Sequence, residues 1–73
     1  MITKAIAMAA SHGQIFHHVS LKNRDGSPVR CRVNGKCKTW ATRPEEWRLP
    51  VKYGLKECFY LEPWNADKWE KAL

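Results

Sequence analysis

Two clusters of turn-forming residues, Asn23-Arg24-Asp25-Gly26-Ser27-Pro28 and Asn34-Gly35, enclose the short run Val29 to Val33, in which apolar and cationic side chains alternate. A segment this short between two breakers does not hold a helix, and its period of two is that of a strand with one face buried. The run before it, Ile15 to Lys22, also alternates, with Ile15, His17, Val19 and Leu21 set against Phe16, His18, Ser20 and Lys22. The two runs are therefore expected to form an antiparallel hairpin, with His17 on the apolar face and His18 on the opposite one.

The Asn34-Gly35 pair offers two registers for a third strand. A two-residue turn would pair Val33 with Lys36 and mix apolar and charged groups on each face. A three-residue loop, Asn34-Gly35-Lys36, pairs Val33 with Cys37, Arg32 with Lys38 and Arg30 with Trp40, and the faces then segregate. That register is the expected one. It puts Val29, Cys31, Val33 and Cys37 beneath, and Arg30, Arg32, Lys38 and Trp40 outside.

Elsewhere, Ile2, Ala5, Ile6 and Ala9 recur at helical spacing behind a capping Thr3, so a helix is expected from Thr3 to His12, ended by Gly13. Thr42-Arg43-Pro44-Glu45 fits a capping box and predicts a single helical turn, and Pro50 predicts an edge or irregular segment, open to dimerisation by sheet extension. Leu55 to Leu61 reads as another strand. Asn65 is the expected cap of a terminal helix, with Trp64 and Trp69 as a hydrophobic staple, both expected in the core, and Leu73 one turn further. The expected fold class is α+β: an N-terminal helix, a small antiparallel sheet of three to four strands and a C-terminal helix, forming one compact domain over residues 1–73.

Composition bounds what such a domain does. Hydrophobic residues make up 44% of the chain, enough for a core, and the longest mostly apolar stretch, Ala5 to Ala10, is far below the ~20 residues that span a bilayer. No membrane association, no secretory leader and a cytoplasmic setting are expected. Thirteen Lys and Arg against seven Asp and Glu give a net charge of +6, and from Gly26 to Pro44 there are cations and no acid. This bias points to polyanions or acidic protein surfaces.

The candidate binding residues are Arg30, Arg32, Lys36, Lys38, Trp40 and Arg43, with Arg48, Lys52 and Lys56 as extensions of unknown direction. Guanidinium and ammonium groups neutralise phosphates and release counterions, and a neighbouring aromatic ring is a platform for an unpaired base. The competing reading is an ordinary solvated sheet face with Trp40 in the core. Cys31, Cys37 and Cys58 with His12, His17 and His18 are zinc-type ligands, but no Cys-x-x-Cys or His-x-x-x-His pair occurs, so reduced thiols and no metal or cofactor are expected. No motif surrounds His17, His18 or Cys58, and an enzyme is not expected.

The segments Phe16-His17-His18, Lys22-Asn23, Asp25-Gly26, Arg30 to Lys36, Lys38-Thr39-Trp40, Arg43-Pro44, Arg48 to Leu55 and Phe59-Tyr60 resemble small uncharacterised proteins encoded by tailed bacteriophages and prophages. The resemblance implies a setting, the cytoplasm of a bacterial host, and carries no catalytic or binding residue with it. In that setting the first expectation is a basic accessory protein that binds DNA or RNA through the cationic sheet face. The alternative is a non-enzymatic inhibitor of the anti-CRISPR kind, docking on a host nucleoprotein or defence complex.

Overall fold

Six strands, one short helix and one 3-10 turn make up residues 1–72, which the computed structural model describes. They run α1 (Lys4–Ala9), β1 (Ile15–Lys22), β2 (Pro28–Val33), β3 (Lys38–Trp40), β4 (Arg43–Tyr53), β5 (Glu57–Leu61), the 3-10 turn (Ala66–Lys68) and β6 (Trp69–Lys71). Thr3 caps α1, its Oγ1 accepting from the Ile6 N–H at 3.2 Å. The helix ends at Ala9, short of the expected His12; Gly13, at φ +89°, sits in the turn that follows and donates its N–H to the Val33 carbonyl.

The expected α+β layout with a helix at each end is corrected by this order: the protein is mostly antiparallel sheet, and no C-terminal helix forms in the described residues. Asn65 explains why. Its Oδ1 accepts from the Glu62 N–H at 2.8 Å and its Nδ2 donates to the Tyr60 carbonyl at 3.1 Å, so the side chain that would cap a helix is turned back onto the preceding strand. One 3-10 turn follows, and the chain then extends so that Trp69 enters the core and β6 pairs with β1. Trp64 and Trp69 make no staple, because Trp64 is exposed. Leu73 lies outside the described residues.

β4 is the spine of the sheet. Residues 51 and 52 pair with β2 on one edge and with β5 on the other, while its first half pairs with β3. Pro50 is therefore central and not at an edge. β3, β5 and β6 each pair with one strand only, and Pro50 is flanked on both sides, by Tyr60 of β5 and by the Asn34 N–H, which leaves no edge there for sheet extension.

The expected hairpin at Asn34-Gly35-Lys36 does not form. Arg32 pairs with Lys52 and Val33 with Val51, the Asn34 N–H donates to the Pro50 carbonyl at 2.8 Å, and the same direction resumes with Lys38 opposite Arg48 and Thr39 opposite Trp47. β2 and β3 are thus one rail along β4, broken by a bulge, and the chain reverses only at Ala41-Thr42. Both edges of the end of β2 are occupied, by Gly13-Gln14 on one side and β4 on the other, which leaves no place for a strand folding straight back. The predicted helical turn at Thr42 to Glu45 is instead the start of β4, where Pro44, Glu45 and Glu46 bulge out of the register. The Lys4 ammonium donates to the Pro44 carbonyl there, tying α1 to the spine.

One face of the sheet builds the core with Phe16, Cys31, Val33, Leu49, Val51 and Leu61, closed by Ile2 and Ala7 from the N-terminal segment. In β1 the buried residue is Phe16, opposite Cys31, while His17 lies opposite Arg30 on the outer face. This reverses the expected assignment. A bulge follows His17, and His18 secures it: Nδ1 accepts from the N–H groups of Ser20 and Leu21 at 3.1 and 2.9 Å, and the ring meets Trp69 edge-on at 4.9 Å. The β1–β2 turn is held by Asp25, whose Oδ1 accepts from the hydroxyl and N–H of Ser27; these bonds hold its carboxyl below the ordinary value of 3.8.

Candidate nucleic-acid interface

Because side chains alternate along strands, Arg30 and Arg32 share the outer face of β2 and Arg48, Pro50 and Lys52 share that of β4. The register then sets Arg32 opposite Lys52 and Lys38 opposite Arg48. Two like-charged cross-strand pairs on one face work against the sheet. The expected facing pair of Arg32 with Lys38 is replaced by these two, since both residues lie on the same rail. Among the described residues the only ion pairs are Arg43–Glu46 at 3.0 Å and Arg48–Glu62 at 3.2 Å. Arg30, Arg32, Lys52 and Lys38 have none.

The unpaired cations and the aromatic residues occupy two neighbouring regions. Arg30, Arg32 and Lys52 surround an open basin of about 470 Å³ whose apolar walls are Ile15 and Leu55. Further along the face, the half-buried Trp40 ring has Lys38 Nζ at 5.5 Å, Arg43 Cζ at 5.1 Å and Arg48 Cζ at 5.9 Å from its centroid. Arg48 also lies 4.9 Å from the Tyr60 ring. Such contacts hold the cations and the ring in fixed relation, each for about 0.5–1 kcal/mol where exposed. Beside Trp40 runs a groove of about 330 Å³ that also meets Arg43, Arg48, Glu62 and Trp64.

Of the six residues expected at the site, Arg30 and Arg32 line the basin and Lys38, Trp40 and Arg43 form the aromatic end. Lys36 joins neither: it lies in the bulge and borders a separate hollow with Met8, Ala10 and Cys37 on the helix side. Sequence reasoning left Tyr60, Glu62 and Trp64 out of the site. The signal for Arg48 and Lys52 was present, since Trp47 to Lys52 alternates as one strand once Pro50 is allowed inside it.

All three cysteines are free thiols. Burial pushes the Cys31 thiol up to about 12, and it raises Cys37 as well. Cys58 is exposed on the outer face opposite Lys52. No group of three or more His, Cys, Asp or Glu among the described residues is placed to hold a metal ion. Iodoacetamide applied to the native protein is expected to label Cys58 first and to leave Cys31 unmodified until denaturant is added, as read by mass spectrometry.

No helix among the described residues is long and apolar enough to cross a membrane. No protein-family model, curated protein or solved structure matches the chain.

Proposed function

We propose that the outer sheet face binds nucleic acid without catalysis, the chain serving as a small basic accessory protein in the cytoplasm of a phage-infected host. The observation that carries this reading is the pairing of Arg32 with Lys52 on the outer face, with Arg30 beside them and none of the three in an ion pair among the described residues. A fold gains nothing from opposing like charges across strands, and an anion lying between them removes the repulsion. From Lys52 to Arg48 the outer face extends about 13 Å, so a strand whose phosphates lie on Arg30, Arg32 and Lys52 reaches the aromatic end. Trp40, ringed by three cations, supplies a stacking surface at one end. A groove-reading helix has no part in it: α1 has six residues, and its one cation, Lys4, is tied to Pro44.

The test is fluorescence anisotropy with a short single-stranded oligonucleotide at about 50 to 200 mM salt. Binding is expected to fall steeply with salt, and the double variant Arg32→Ala, Lys52→Ala is expected to lower the slope of log affinity against log salt by about 1.4, roughly 0.7 for each phosphate that is no longer neutralised. The same variant relieves a like-charge pair, so its thermal stability is expected to hold or rise while its affinity drops. Equal affinity and slope for variant and wild type would remove this face from binding.

A second reading, an inhibitor that docks on a host nucleoprotein or defence complex, draws on the exposure of Tyr60 at 49% and Trp64 at 71% beside Arg48. Aromatic residues and Arg anchor protein interfaces. A pull-down from host lysate separates the two readings: protein prey that survives nuclease treatment supports the inhibitor, and prey lost with the nucleic acid supports the first.

A further inference from the structure

Trp64 is 71% exposed, yet it is not loose. Its Nε1–H donates to Glu62 Oε2 at 3.1 Å, while Glu62 Oε1 accepts from Arg48 Nε at 3.2 Å. The carboxylate is thereby held by two donors and in turn holds an exposed indole. Trp64 and Trp40 both line the same groove.

The electrostatics of this groove differ from those of the basin. The two arginines that line it are each neutralised by a carboxylate, Arg43 by Glu46 and Arg48 by Glu62, whereas Arg30, Arg32 and Lys52 are in no ion pair among the described residues. A phosphate gains little in the groove and is repelled by Glu62. A base fits it better. Its volume, about 330 Å³, is at the lower end of small-molecule sites, and its aromatic walls suit a flat π-system.

Glu62 narrows the choice of base. Each of its oxygens has accepted one hydrogen bond and keeps acceptor capacity for another. Among the bases, guanine alone places two donors side by side on its Watson–Crick edge, N1–H and the N2 amino group, matching the two oxygens of a carboxylate. Adenine and cytosine offer an amino group beside an acceptor nitrogen, and uracil or thymine one N–H between two carbonyls. In a duplex the guanine edge is already paired, so the base has to be unpaired.

From this geometry we infer that the groove between Trp40 and Trp64 is a subsite for one unpaired guanine, read by Glu62, while the phosphates of the same strand lie on the outer cations. The inference rests on the nucleic-acid reading above and adds a base preference to it. Glu62 acts by direct contact with the base, and Trp64 supplies a wall for it.

The test compares short oligothymidines carrying one central guanine, inosine, adenine or abasic residue, by anisotropy, for the wild type, Glu62→Gln and Trp64→Ala. The wild type is expected to prefer guanine over adenine by about tenfold, within the range of a bidentate contact, and to lose most of that preference with inosine, which lacks the N2 amino group. Glu62→Gln is expected to bring the guanine-to-adenine ratio close to one, a readout that the loss of its hold on Arg48 alone would not give. Trp64→Ala, at an exposed position, is expected to weaken the base-bearing strands relative to the abasic one. Equal binding of guanine and adenine by the wild type, with the salt slope intact, would overturn the subsite and leave the cationic reading standing. So would a preference for guanine that persists in Glu62→Gln. No binding of any strand at about 50 mM salt would overturn both.

Discussion

Phe16→Ala is expected to leave the chain largely unfolded at room temperature, while His17→Ala, one residue away, stays folded. Phe16 is completely buried opposite Cys31, and truncating a buried phenylalanine costs about 3–5 kcal/mol in lost transfer energy and residual cavity. A single core in a domain of this size rarely supplies more than about 3–5 kcal/mol in total, so one substitution consumes the margin. His17 projects from the other face, where substitutions stay near 0.5 kcal/mol. Circular dichroism with urea titration reads both variants. A folded Phe16→Ala together with an unfolded His17→Ala would show that β1 presents the opposite face to the core.

Gly35→Ala is expected to destabilise the fold by about 1–3 kcal/mol and to weaken nucleic-acid binding with it. A Cβ at this position would stand 2.7 Å from Pro50 Cγ, a contact that real Cβ atoms essentially never make. The partner is a ring anchored in the central strand, so the bulge has to give way instead. That bulge joins β2 to β3 and sets how far Lys38 and Trp40 stand from Arg32. Gly26→Ala is the control: a Cβ there meets nothing within 4 Å, and only its positive φ resists the change, by about 1–2 kcal/mol. Urea titration and anisotropy on both variants check the claim. A Gly35→Ala variant that keeps wild-type binding would mean that the spacing between β2 and β3 does not matter to the site.

Pro50 and Gly35 also show why the register is not legible from the sequence. A proline in a central strand forfeits a ladder donor, which argues for an edge. Here Pro50 lies along the bulge between β2 and β3, where its carbonyl takes the Asn34 N–H and its ring fills the space that Gly35 leaves empty. Neither residue accounts for the other until the two strands are in place. The Asn34-Gly35 pair is a strong hairpin signal, but Gly13-Gln14 bonds to Val33 from twenty residues upstream and takes the edge that a hairpin would need. Asn65 departs from its expected role for the same reason. Its acceptor could cap a helix, and the carbonyl of Tyr60 and the N–H of Glu62 claim the side chain first.

Local chemistry was enough to determine the alternation of Val29 to Val33, the strand ending at Leu61, though it starts at Glu57 and not at the expected Leu55, the cap at Thr3 and the outward placement of Arg30 and Arg32, because each depends on side-chain periodicity or on partners within a few residues. Only the tertiary structure decided which cations stand opposite one another, that Phe16 and not His17 is buried, and that Trp64 and Glu62 line one groove with Trp40. Those outcomes turn on which edges are already occupied when strands far apart in the chain pair, and a shift of one residue there turns every side chain to the other face.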